Sequence, residues 1–216
     1  MTQLIPTELT KVRRVHKRGS YDREVINAIL DATPLCHVGY VIEGKPAVTP
    51  TLQWREGDHV YWHGSSASRA LRKSEDLDVC LTVSLLDGLV LARSGFHHSA
   101  NYRSAMIFGR ATKVEDVDKK AALLDNFVDH IYPGRSKILR PMTAKEIKAT
   151  TVLSLPIDEA SAKIRAEGVK DDEEDYALPI WAGIIPITQV LGTPQPDPKN
   201  LDGVEMPDHI SKIQIG

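Results

Sequence analysis

Apolar residues along this chain recur in two rhythms, and each change of rhythm marks an element boundary. Between Arg23 and Ala32 they fall at Val25, Ile26, Ile29 and Leu30, the spacing that lines one face of a helix, with Asp22 placed as N-cap and Pro34 as terminator. From Leu35 the period shortens. Leu35 to Ile42 and Ala47 to Trp54 are apolar, β-branched runs on either side of Glu43-Gly44-Lys45, which predicts a hairpin. A second turn, Arg55 to Asp58, leads into His59 to His63, so three consecutive antiparallel strands are expected. The small residues Gly64 to Ser68 break the pattern and precede a short helix opening near Arg69. Val79 to Leu85 and Leu89 to Ala92, around Asp87-Gly88, read as two strands, and Ala105 to Val114 as another. Helical spacing returns over Val117 to Ile131 and stops at Pro133-Gly134. Thr143 and Glu146 stand at capping-box spacing for a short helix over Thr143 to Thr150, and Thr151 to Pro156 and Ile180 to Val190 complete the strands.

Many short strands, close turns and few helices predict a mainly β fold, a barrel with peripheral helices rather than a doubly wound sheet. The basic, polar residues 1–20 read as an arm on the surface or on a partner subunit, residues 21–192 as the domain, and the Pro-rich 193–216 as a tail. With 42% apolar residues in 216 the chain can bury a full core. Its net charge of −2 argues against broad capture of nucleic acid or anionic membrane. Cys36 and Cys80, each inside a β-like run, make neither a disulfide framework nor a metal site and read as buried thiols. The N-terminus lacks an apolar leader and no segment is long and apolar enough to span a bilayer, so a cytoplasmic protein is expected.

Three constellations carry candidate chemistry. In His63-Gly64-Ser65-Ser66-Ala67-Ser68-Arg69 a strand runs into small hydroxyl residues and an arginine, donors suited to a phosphate, although an ordinary Ser-rich helix start looks the same. In His97 to Ser104 a dense polar run precedes an apolar strand, where Tyr102, Arg103 and Ser104 suit a binding mouth. Adjacent histidines suggest a metal, but His97 and His98 would point to opposite faces of a strand and no third ligand follows at a recognisable spacing, so no metal is expected. In Pro179 to Pro186, Trp181 beside Ala182 and Gly183 suits a flat ligand or simple packing. The acidic run Asp171 to Asp175 reads as a solvated loop.

The order and spacing of these motifs resemble the FMN-binding split-barrel superfamily of pyridoxamine 5′-phosphate oxidase, most closely its nitroimidazole-reductase-related branch, over approximately residues 10–190. The resemblance implies a six-stranded antiparallel split β-barrel. It implies FMN as cofactor, with FAD as the variant, and a flavin site of Val48, Thr49, Pro50, Thr51, Leu52, Gln53, His63, Gly64, Ser65, Ser68, Arg69, Arg103, Ser104 and Trp181. A homodimer with flavin at the interface is implied as well. Departures from the family pattern matter too. Val48 and Gln53 stand where pyridoxamine phosphate oxidases have basic residues, and Ile187, Thr188 and Gln189 replace their Arg and His pair, which argues against vitamin B6 oxidation. His63 is the imidazole expected near the site and the candidate for proton transfer.

The expected function is therefore an FMN-dependent oxidoreductase acting on a small molecule. The alternative is a cofactor-binding or haem-handling protein of the same fold, for which His97 and His98 offer imidazole ligands.

Overall fold

The structure is a computed structural model that describes residues 3–68 and 77–215. Its described residues form a mainly antiparallel, ten-stranded sheet. The strands are β1 (Gly19–Ser20), β2 (Leu35–Ile42), β3 (Lys45–Glu56), β4 (His59–Ser65), β5 (Asp78–Leu91), β6 (Ser99–Arg110), β7 (Thr112–Lys113), β8 (Thr150–Pro156), β9 (Glu159–Arg165) and β10 (Gly183–Pro186). The spatial order is β1-β9-β6-β5-β2-β3-β4-β8-β7, with β10 added against β5. The path runs from β1 to β7 and does not close on itself.

The β2–β3 hairpin turns at Glu43 and Gly44, both at positive φ, and Gly57 does the same between β3 and β4. Asp87-Gly88 behaves differently from its sequence signal. β5 runs unbroken through it, with a register shift between Leu86 and Gly88, because both flanks pair with β6 and β10 pairs over the same stretch. β6 begins at Ser99, so the polar run Asn101 to Ser104 lies inside the strand instead of ahead of it. The last strand is shorter than expected, Gly183–Pro186, and β9 has no counterpart among the sequence expectations.

The α-helices among the described residues are α1 (Arg23–Asp31), α2 (Val117–Ile131) and α3 (Ala144–Ala149). Asp22 accepts from the Glu24 amide as N-cap of α1, and Thr143 and Glu146 form a complete capping box on α3. The main core joins Ile26, Ile29 and Leu30 of α1 to Val38, Leu81, Ile107, Leu153 and Leu155 of the strands. Each such side chain contributes about 1.5–3 kcal/mol relative to exposure. A second cluster lies across β3, β4 and β8, where Trp54, Tyr61 and Val152 receive Leu123 and Leu124 of α2, with Phe127 packed against them.

The alternation of β2 and β3 leaves one face uncovered. Leu35 pairs with Leu52, His37 with Pro50, and Gly39 with Val48, and across β5 His37 continues to Thr82 and on to Met106. Leu35, Val41, Val48, Leu52 and Met106 are all exposed there. The N-terminal arm lies along its own domain: Gly19 and Ser20 pair with β9, Arg18 bonds Glu167, and Thr7 bonds Glu159. No described helix is long and apolar enough to cross a membrane.

Candidate functional site

The serine turn follows directly from β4. Ser66 donates its backbone amide to Ala149 at 2.8 Å, Ser68 closes back on Ser65 at 2.8 Å, and the Ser65 hydroxyl accepts from the Ala67 amide at 3.2 Å. Ser65 Oγ thus already supports the turn's backbone. Arg69, the charged member of the expected phosphate site, lies outside the described residues. Beside Ser66 a cavity of about 730 Å³ opens between the turn, β7, α2 and α3.

The expected flavin strand divides by pleat. Val48, Pro50 and Leu52 present their side chains on the open apolar face, whereas Thr49 turns to the hydroxyl of Tyr40 at 2.7 Å. Thr51 pairs with Cys36, a fully buried thiol whose pKa burial pushes up to about 12, so it is an inert packing group. Gln53 is wholly buried and donates Nε2 to the carbonyls of Leu30 at 2.7 Å and Thr33 at 3.0 Å. Its side chain therefore ties α1 to the sheet and is unavailable to a ligand on the open face.

Arg103 and Ser104 are also engaged. Arg103 grips Asp87 through Nε and Nη2 at 2.8–3.2 Å, and the Ser104 hydroxyl donates to the carbonyl of Lys163 at 3.2 Å. The ion pair lines a smaller cavity of about 320 Å³ with Ile187, Thr188 and Gln189. Trp181 is 68% exposed and lays its ring against Gly183, where an added Cβ would meet it at 2.8 Å. Gly183 pairs with Leu91, which brings Trp181 to the end of β5, next to the loop that carries the two histidines.

His63 sits under α2 in an aromatic setting, 4.5 Å from the Phe127 ring and 6.0 Å from that of Trp54. Its Nδ1 is buried without a partner among the described residues, and burial lowers its pKa, so the ring is neutral at neutral pH.

The loop between β5 and β6 shows what sequence spacing missed. Arg93 is held by Asp171 at 2.9 Å and lies over the Tyr176 ring, and His97 Nε2 stands 3.3 Å from Asp172. The ligand atoms of His97, Asp172 and Asp175 lie within 4.8 Å of one another, a group able to hold a metal ion. The acidic run, with Asp172 to Glu174 exposed, thus lies against His97, and the carboxylates near that imidazole come from a distant segment. His97 and His98 lie in a turn and not in a strand. His98 Nδ1 is 2.8 Å from the carbonyl of Ser94, a contact that requires an N–H on that nitrogen and turns Nε2 to the other side of the ring. Phe96, in the same turn, is 91% exposed.

A mainly antiparallel sheet that packs round a main core and leaves an apolar face open is the architecture of the split-barrel flavoproteins. The sequence profile of pyridoxamine 5′-phosphate oxidase matches residues 22–164, and the chain belongs to that family, with its flavin-binding fold. Among solved structures it is similar to the flavocytochrome Anf3 from Azotobacter vinelandii, with 54% identity and a TM-score of 0.95 over 99% of this chain and 100% of that one. It is also similar to the FAD and heme binding protein from Mycobacterium smegmatis, with 36% identity and a TM-score of 0.88 over 91% and 97%. A candidate 5-nitroimidazole antibiotic resistance protein from Bacteroides thetaiotaomicron follows at 26% identity and a TM-score of 0.56, over 68% and 86%. No curated protein matches the chain.

Proposed function

We propose that this chain is a redox protein that binds a flavin dinucleotide and a haem and exchanges electrons with a small molecule. The observation that carries the reading is the end-to-end similarity, at 54% identity, to a flavocytochrome. The FAD and heme binding protein extends it and favours FAD over the FMN expected from the motifs.

The residues fit both groups. A flavin needs an apolar platform for its ring and donors for its phosphate. Val48, Pro50 and Leu52 supply the platform on the open face, and the Ser65–Ser68 turn supplies the phosphate end. A haem needs an imidazole with its second nitrogen fixed and apolar surface around it. His98 meets the first requirement through Ser94, and Phe96 offers exposed aromatic surface beside it. Once bound, the flavin supplies one- and two-electron chemistry and the haem iron one-electron chemistry. The protein's part is to orient the groups, exclude water from the open face and keep His63 neutral. The exposed apolar face, with Val41, Val48 and Leu52, is the surface that a second copy of the chain would cover in the homodimer expected of the family.

The test is an absorption spectrum of the purified protein, followed by heat release and chromatography of the flavin. Flavin bands together with a Soret band, and FAD in the extract, are the expected result. A protein that remains colourless after adding FAD and hemin overturns the reading.

A further inference from the structure

The cavity beside Ser66 has a chemistry that the phosphate-turn argument does not use. It measures about 730 Å³, within the roughly 300–1,000 Å³ of small-molecule sites. Among the described residues three lysines line it, Lys113, Lys120 and Lys148, against one acid, Glu115. Lys113 already bonds Glu115 at 2.8 Å. Lys120 is the unusual one. It is only 9% exposed, on the inner side of α2, and its ammonium donates to the Thr150 carbonyl at 3.2 Å. No carboxylate pairs with it among the described residues. Removing an ammonium from water without a counter-charge is costly, so a buried lysine held only by a carbonyl is a place built for an anion. Lys148 lies exposed at the rim, and Val117 and Ile147 give the cavity an apolar wall.

We propose that this cavity receives the adenosine monophosphate half of the flavin dinucleotide. Lys120 is the buried counter-ion of its phosphate, Lys148 the rim cation, and Val117 with Ile147 the surface for the base. The inference rests on the flavin reading above and goes beyond it by assigning the residues that separate FAD from FMN. Location supports it. Ser66 belongs both to the turn assigned to the flavin's first phosphate and to the cavity wall, so a second phosphate attached to the first meets the lysines next.

The experiment is a set of equilibrium titrations of the full-length, flavin-stripped protein with FAD, FMN and ADP. Wild type is compared with Lys120→Met, which keeps the stem volume, and with Lys148→Ala at the exposed rim. Wild type is expected to bind FAD at least about tenfold more tightly than FMN, with ADP displacing FAD. Lys120→Met is expected to weaken FAD by about tenfold and FMN by less than about twofold, and Lys148→Ala to act in the same sense but less strongly. Equal losses for FAD and FMN, no preference for FAD in wild type, or no binding of ADP overturns the inference alone. Wild type that binds neither flavin overturns the parent reading and the inference with it. Circular dichroism of both variants identifies a fold defect, and Lys148→Ala, a surface change, keeps the test decisive if Lys120→Met does not fold.

Discussion

His63 meets the ring of Phe127 edge-on, with centroids 4.5 Å apart, at the seam where α2 closes over β4. The contact suits a neutral imidazole. Burial lowers the folded-state pKa of His63, so the unfolded chain binds the proton more readily than the folded one. The stability this contributes is present above the unfolded value, about 6.5, and is lost as pH falls below it. A thermal-melt series from pH 7.5 to 5 is expected to fall more steeply for wild type than for His63→Phe, which removes the titrating group and keeps an aromatic ring. Identical slopes would show that His63 carries no such linkage.

Gln53 makes a second, purely structural prediction. Its amide spans Leu30 and Thr33 at the end of α1, inside the protein and away from water. Gln53→Leu keeps the volume but leaves two buried carbonyls without this donor, a cost of about 1–3 kcal/mol. The chemical-denaturation midpoint should drop accordingly while flavin affinity stays near that of wild type. A large, selective loss of flavin binding at unchanged stability would return Gln53 to the site.

These two residues illustrate what the sequence could and could not reveal. α1, α2 and the β2–β3 hairpin were legible because periodicity, caps and turn glycines agree there, and β2 and α2 span the residues the pattern predicted. β9 was not, because Glu159–Arg165 alternates through Ala160, Ser161 and Ala162, small residues without β-branched weight. Asp87-Gly88 carries a hairpin signal, yet β6 pairs along both of its flanks, β10 pairs from Gly88 onward, and Asp87 serves as partner of Arg103. In the candidate site, residue types were readable but pleat was not: the motif Val48 to Gln53 contains residues for the open face, for the interior and for α1. The carboxylates around His97 were invisible for another reason. They lie more than seventy residues away, and only the return of the chain past β5 joins them to the loop.

Gly183 holds a place that only glycine fills without movement. A Cβ there would stand 2.8 Å from two ring atoms of Trp181, so Gly183→Ala must lift the indole. Trp54 and Trp62 are buried and Trp181 is exposed, so a change in the long-wavelength part of the tryptophan emission reports this ring. Gly183→Ala is expected to shift that component with little change in melting temperature, because β10 is a short strand added at the side of β5. An unchanged spectrum would mean that the ring is already free of Gly183 in solution.

On the proposed haem reading, His97 and His98 are adjacent candidates for the iron ligand. His97 directs Nε2 to Asp172, and its neighbours Asp172 and Asp175 suit a hard cation better than a porphyrin iron. His98 has Nδ1 fixed on the Ser94 carbonyl, the arrangement that orients a ligating imidazole and turns Nε2 to the other side of the ring. Phe96, almost fully exposed in the same turn, adds the apolar surface a macrocycle needs. His98→Ala is therefore expected to abolish or shift the Soret band and the electron paramagnetic resonance signal of hemin-loaded protein. His97→Ala should leave both intact, and His98→Ala should retain its flavin absorbance, which separates a lost ligand from a lost fold. If His97→Ala rather than His98→Ala removes the haem signature, the iron is held on the acidic side of the turn and the Ser94 contact is only a feature of the loop.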